Sequence, residues 1–211
     1  GEMIMKISEV KKLIGNTPMI KIKCIHDGVE KHVFAKLEWY SITGSIKDRA
    51  AFYIIDEAIK TGALVPNQPI VEATSGNMGI SIAAIGTLLG HPVHIFMPDW
   101  MSEERKLILK GYGATLHEVS HDDGGFVGAI EKAKELAKEI NGFCTKQFEN
   151  ENNVISHYEM TGSEIIENMS GKKIDGFVSG IGTGGTLMGV GKKLKSFDKS
   201  VRTYAFEPDS L

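Results

Sequence analysis

Pro69-Ile70-Val71-Glu72-Ala73-Thr74-Ser75-Gly76-Asn77-Met78-Gly79 passes from a short apolar run through a polar loop into an apolar segment that continues to Leu89. The run Pro69–Ala73 reads as a strand, Met78–Leu89 as a helix, and Gly90 stops it. The same alternation continues downstream. Strand Val93–Met97, helix Glu103–Lys110, strand Thr115–Val119 and helix Phe126–Ile140 follow with short connections. Short apolar strands alternating with amphipathic helices predict an α/β fold, a parallel twisted sheet with helices on both faces.

Working outward, Arg49–Lys60 places Ala51, Ile54, Ile55, Ala58 and Ile59 at helical spacing, with Gly62 where a C-terminal cap belongs. Before it, Met19–Cys24 and His32–Leu37 read as two strands joined through Asp27-Gly28. Beyond residue 140 the pattern predicts a strand over Phe143–Phe148 and a helix over Asn153–Met169. A buried strand Ile174–Ser179, a helix Thr186–Leu194 and a strand Val201–Phe206 complete the chain.

Composition narrows the function classes. The 211 residues are 42% hydrophobic and 24% charged, ordinary for a folded globular protein. A formal net charge of -3 leaves no basic footprint for nucleic acid. Lys192, Lys193 and Lys195 read as the wet face of a helix. Cys24 and Cys144 make neither a disulfide framework nor a C-x-x-C pair, and the seven histidines show no metal spacing. No run approaches the ~18 apolar residues of a membrane span. The segment from Gly1 to Lys12 lacks the apolar stretch of a signal peptide, so a reducing cytoplasm is the expected compartment.

In folds of this kind ligands gather outside the carboxyl ends of the strands. Three loops there stand out. Thr43-Gly44-Ser45-Ile46-Lys47-Asp48-Arg49 puts a lysine at a helix entry, where the positive end of the dipole depresses an amine and suits it to Schiff-base chemistry. The bland alternative is a solvated lysine. Thr74-Ser75-Gly76-Asn77-Met78-Gly79 collects two hydroxyls, an amide and backbone N–H groups at a helix N-terminus, an anion site; a helix cap accounts for only part of it. Gly180-Ile181-Gly182-Thr183-Gly184-Gly185-Thr186 is a glycine-rich turn of the kind that closes around a phosphate. Gly180, Gly182 and Gly185 also satisfy G-x-G-x-x-G, with Glu207 where a ribose-binding acid belongs, so NAD binding is a rival reading of that segment. One ligand employs all three loops: a phosphorylated aldehyde trapped by an amine, beside a pocket for an amino-acid carboxylate, which is pyridoxal phosphate with its substrate.

The motifs Gly44-Ser45-Ile46-Lys47-Asp48-Arg49, Thr74-Ser75-Gly76-Asn77, Gln147-Phe148 and Gly182-Thr183-Gly184-Gly185-Thr186 resemble, in order and spacing, those of the cysteine synthase and cystathionine β-synthase family. Ile14-Gly15-Asn16-Thr17-Pro18 is similar to that family's opening segment. The resemblance implies a two-domain, fold type II pyridoxal-phosphate enzyme. Lys47 would form the internal aldimine and later move the α-proton, and Asn77 would bond the ring's 3′-oxygen. Thr74, Ser75, Asn77, Met78 and Gln147 would line the substrate pocket. Gly182, Thr183, Gly184, Gly185 and Thr186 would hold the phosphate. The implied reaction is β-elimination from a small L-amino acid to an aminoacrylate, followed by addition of a nucleophile, in sulfur amino-acid metabolism. A homodimer is implied as well.

Three departures bear on these expectations. Tyr40-Ser41-Ile42-Thr43 stands where cysteine synthases have Asn-Pro-Gly, and Met78 replaces a threonine. Losing that hydroxyl points towards a changed substrate or nucleophile, with an L-cysteine-consuming, sulfide-releasing lyase as the alternative. Family members commonly run to roughly 300 residues or more over two domains. The C-terminal part, with the partner of the pyridine nitrogen, is therefore expected beyond Leu211, leaving a sheet edge exposed. The expected division is a smaller mobile domain over 40–146 and a larger one from 1–39 plus 147–211. A catalytically inactive scaffold is the reading from another class; retention of Lys47 and Asn77 argues against it.

Overall fold

The computed structural model describes residues 4–207 and 209. Pro208 and Leu211, which entered the reading of the chain's end, lie outside the described residues. A short helix α1 (Ile7–Val10) precedes a hairpin of β1 (Met19–His26) and β2 (Val29–Lys36). The hairpin is antiparallel from Met19↔Lys36 to His26↔Val29, and Asp27 and Gly28 supply the two positive φ angles, 50° and 72°, that its two-residue turn needs.

Helix α2 (Lys47–Lys60) leads into β3 (Ile70–Ala73), α3 (Asn77–Leu88), β4 (Val93–Pro98), α4 (Glu103–Gly111), β5 (Thr115–Val119) and α5 (Gly125–Glu139). A two-residue strand β6 (Phe143–Cys144) completes a parallel sheet of order β5-β4-β3-β6. Alternation along the strands decides which face each residue serves. Ile70, Val93, Ile95 and Met97 pack with α2 and α3 residues such as Ile54, Ile55, Ile82 and Ile85. Val71, Ala73, Phe96 and Val119 pack on the other face against Ala129, Ala133 and Ala137 of α5. Each fully buried isoleucine contributes about 1.5–3 kcal/mol relative to exposure. Helix α3 is apolar nearly all round because it is enclosed, with Met78 through Gly86 all buried.

Three expectations are corrected beyond residue 140. The strand over Phe143–Phe148 ends at Cys144, because Lys146 adopts φ 51° and turns the chain out of the sheet. The helix over Asn153–Met169 is continuous but not uniform: α6 (Asn152–Ser156) passes through a π-helical segment, His157–Gly162, into α7 (Ser163–Met169). The strand read as buried, β7 (Gly176–Gly180), is alternately exposed. Among the described residues it pairs in parallel only with β8 (Arg202–Phe206), across α8 (Gly185–Phe197). Two strands cannot cover each other's faces, so Val178 and Phe206 stay open. Between β2 and β7 lies a cavity of about 810 Å³, lined by Phe34, Lys36, Glu38, Ile46, Thr161, Phe177, Ser179 and Thr186 among others. No helix among the described residues is long and apolar enough to cross a membrane.

Candidate active site

Lys47 is the first residue of α2 rather than a loop residue, and its backbone N–H is taken by Ser45 Oγ at 3.2 Å. Burial lowers its amine below the ordinary lysine value. Among the described residues no carboxylate pairs with it. The next side chain, Asp48, is fully buried and folds the loop back on the helix. Its carboxylate accepts from the Thr43 N–H at 2.9 Å, from the Thr43 hydroxyl and from the Ser81 hydroxyl at 2.6 Å. Ser81 lies on α3, so Asp48 ties the lysine loop to the helix that carries the second loop.

Arg49 is also fully buried. Its guanidinium grips two carboxylates: Glu38 at 2.7 and 3.0 Å, and Glu164 at 2.7 and 2.8 Å. Glu164 further accepts from Lys36 at 2.7 Å and from the Asn16 N–H at 2.7 Å. Burial alone would raise the Glu164 carboxyl, but these donors bring it down to about 2. The segment Ile14–Pro18 is thereby anchored to the helix that presents Lys47.

The second loop sits at the N-terminus of α3. Thr74 is buried, Ser75 partly so and Asn77 exposed. Thr74 Oγ1 accepts the Gly76 N–H at 3.2 Å, and the first-turn N–H groups of α3 have no partner within the helix. A side chain on Gly79 would meet Thr74 Cγ2 at 2.6 Å, which explains the second glycine. Met78 takes the enclosed of the two positions open to it at this helix start. Its side chain is 1% exposed and packs in the core with Ile82, so the position offers a ligand its backbone N–H and not its thioether. The helix period turns it inward, one residue after Asn77 faces out.

The third loop makes the N-terminus of α8. Gly184 caps it at φ 80°, and a Cβ on Gly185 would stand 2.4 Å from Asn153 Oδ1. Open space surrounds Gly182 and Gly184. Asn153 joins this loop to the carboxylate candidate Gln147, donating to Thr183 Oγ1 at 2.8 Å and to the Gln147 carbonyl at 3.0 Å. Thr186 Oγ1 lies 3.3 Å from His157 Nε2, whose Nδ1 is 3.0 Å from Thr161 Oγ1. Burial, with the charges of Arg49 and Lys47, pushes His157 down to about 3, so it is a neutral imidazole.

The structure thus brings the lysine and glycine loops to one cavity, through Ile46 and Thr186. Gln147 lines a different and smaller space of about 90 Å³, with Glu72 and Phe148. Glu72 accepts from the Thr145 hydroxyl and the Ala73 N–H, and burial raises its carboxyl despite those donors. A lone acid in an apolar strand was a readable signal for Glu72. Asn153 and His157 carried none, and Arg49 stood only as the end of the lysine motif, since each meets its partners far along the chain.

A parallel α/β frame with a depressed amine, unpaired among the described residues, at one helix start and an open glycine turn at another offers a donor set that fits a phosphorylated aldehyde. The chain belongs to the pyridoxal-phosphate dependent enzyme family, whose pattern it matches over residues 10–211. It is 41% identical over 204 residues to a cysteine synthase of Staphylococcus aureus, covering 97% of this chain and 66% of that protein. A hydrogen sulfide-producing enzyme from Fusobacterium nucleatum superposes with a TM-score of 0.91 at 46% identity, over 96% of this chain and 61% of that one. A cysteine synthase from Entamoeba histolytica gives a TM-score of 0.86 at 38% identity, over 94% and 60%. The chain therefore spans about two thirds of the length of the curated relatives it matches.

Proposed function

We propose that this chain carries the lysine, carboxylate and phosphate sites of a pyridoxal-phosphate enzyme that performs β-elimination or β-replacement on a small L-amino acid. The observation that carries the reading is Lys47: a largely buried amine, depressed by desolvation and free of any carboxylate among the described residues, next to Ile46, which lines the same cavity as Thr186 at the end of the glycine loop. When bound, pyridoxal phosphate supplies an electron sink that acidifies the substrate's α-proton and lets a β-substituent leave. Lys47 Nζ holds the cofactor and moves that proton, which an ordinary, fully charged lysine could not accept near neutrality. Thr74, Ser75, Gln147 and the N–H groups opening α3 hold the substrate carboxylate. Asn77, exposed at the helix start, reaches the ring oxygen. Gly182, Thr183, Gly184, Gly185 and Thr186 take the phosphate, with His157 and Asn153 holding the two hydroxyls in place.

Two substrate readings follow. The similarity to cysteine synthases supports acetylserine with sulfide; the similarity to the Fusobacterium enzyme supports L-cysteine with release of sulfide. The division into a mobile part over 40–146 and a larger part over 1–39 plus 147–211, a homodimer and a cytoplasmic location complete the proposal. The complete protein should be yellow, and Lys47→Ala should abolish that absorbance. Sulfide release from L-cysteine, and cysteine formation from acetylserine plus sulfide, separate the two substrates. A colourless protein that binds NAD refutes the reading. A protein silent in both assays, with no spectral change on adding either amino acid, is the inactive scaffold.

A further inference from the structure

We infer that Arg105, on α4 and outside all three loops, is a positioning residue that sets the substrate-carboxylate loop by fixing one peptide plane. The inference deepens the proposed function and rests on Thr74 and Ser75 holding a carboxylate. Arg105 Nη1 donates to the Ser75 carbonyl at 2.6 Å. No backbone N–H among the described residues reaches that carbonyl. The other end of the same peptide, the Gly76 N–H, donates to Thr74 Oγ1 at 3.2 Å. The plane between Ser75 and Gly76 is therefore held at both ends.

The consequence falls on Thr74. Its oxygen accepts from Gly76, so its own proton is left to donate to an anion. Turning the plane over would aim the Gly76 N–H at the guanidinium and release the Thr74 oxygen. A cation on one end of the peptide opposes that flip and polarises the chain Arg105, Ser75 carbonyl, Gly76 N–H, Thr74 hydroxyl in the sense that favours an anion beyond Thr74.

The base of the arginine is steady enough for this task. Its neighbour Lys106 fastens α4 to the Asp99 carbonyl at 2.6 Å and to Glu118 of β5 at 2.7 Å. Arg105 Nη1 also meets Met101 Sδ at 3.7 Å. Arg105 itself is only partly buried, so its loss need not unfold the chain.

The test uses the complete, cofactor-loaded protein with Arg105→Ala and Arg105→Lys. L-cysteine and O-acetyl-L-serine are titrated against the cofactor's visible absorbance and in turnover. In Arg105→Ala the half-saturating concentration of the reacting amino acid should rise roughly tenfold or more, the scale of one charged hydrogen bond. Cofactor content and kcat should change by less than about twofold, and Arg105→Lys should recover most of the loss. Exchange of the Gly76 amide in cofactor-free protein should quicken by roughly tenfold in Arg105→Ala. Unchanged saturation and unchanged Gly76 exchange refute the inference while leaving the proposed function standing. A fall in kcat alone, or in melting temperature alone, refutes it too. A wild type that responds to neither amino acid refutes the proposed function, and the Gly76 exchange then decides the peptide-fixing role by itself.

Discussion

Replacing Arg49 with methionine removes the cation that pairs with both Glu38 and Glu164 while roughly keeping the volume of the side chain. The structure sets the scale. Arg49 is fully buried, and both carboxylates are only 16% exposed. Breaking a buried pair by removing one partner typically costs about 3–5 kcal/mol, because the remaining charge stays desolvated. The depression of Glu164, caused in the main by Arg49, describes the same pair from the other side. Held at about 2 against an ordinary 4.5, its carboxylate contributes roughly 3 kcal/mol above the ordinary value. The sign follows from the depression: that stability is present in full above pH 4.5 and is lost as pH falls through about 2. In Arg49→Met, Glu164 keeps Lys36 and the Asn16 N–H, so part of the depression survives. Urea unfolding of the complete protein, followed by circular dichroism from pH 7 to pH 2, should show a loss of about 3–5 kcal/mol at pH 7. The acid limb should also become shallower, since less of the Glu164 depression is left to lose. Adding Glu164→Gln to the variant should restore part of the loss, since the unpaired charge is then gone. A cost below about 1 kcal/mol, with an acid limb that keeps its slope, would show the network to be solvated and the reasoning wrong.

Met78→Thr should lower the melting temperature by placing a hydroxyl in the apolar core, while the ratio of kcat/KM values for L-cysteine and acetylserine stays as in wild type. A shifted ratio would put Met78 back in the substrate wall. Gly185→Ala should weaken cofactor retention at least tenfold on dialysis, since its Cβ would crowd Asn153 and disturb Thr183. Full retention would mean that Asn153 yields without moving the loop. His157, kept neutral down to about 3, should make stability fall as pH drops from 6.5 towards 3, because only the unfolded chain takes up the proton in that window. His157→Gln should flatten that part of the pH profile, and an unchanged profile would exclude the buried imidazole as its source.

The sequence by itself determined, to within a few residues, the main helices and strands from residue 19 to residue 140, and it marked three candidate loops at helix starts. Periodicity and punctuation are local properties, so Ile54 with Ile55 and Ala58 already declare which face is apolar. Lys47, Thr74, Asn77 and the glycine turn were legible because each sits at a helix start whose unsatisfied N–H groups follow from chain order alone. Tertiary structure decided what spacing could not. The inward direction of Met78, the turn at Lys146 that ends β6, and the exposure of β7 depend on what packs nearby. Arg49 meets Glu164 across 115 positions, Asn153 meets Thr183 across 30, and Arg105 meets Ser75 across 30. A charged residue on a helix reads the same from sequence whether water or a buried carboxylate receives it. Only the folded chain specifies the partner, and the partner fixes the energy.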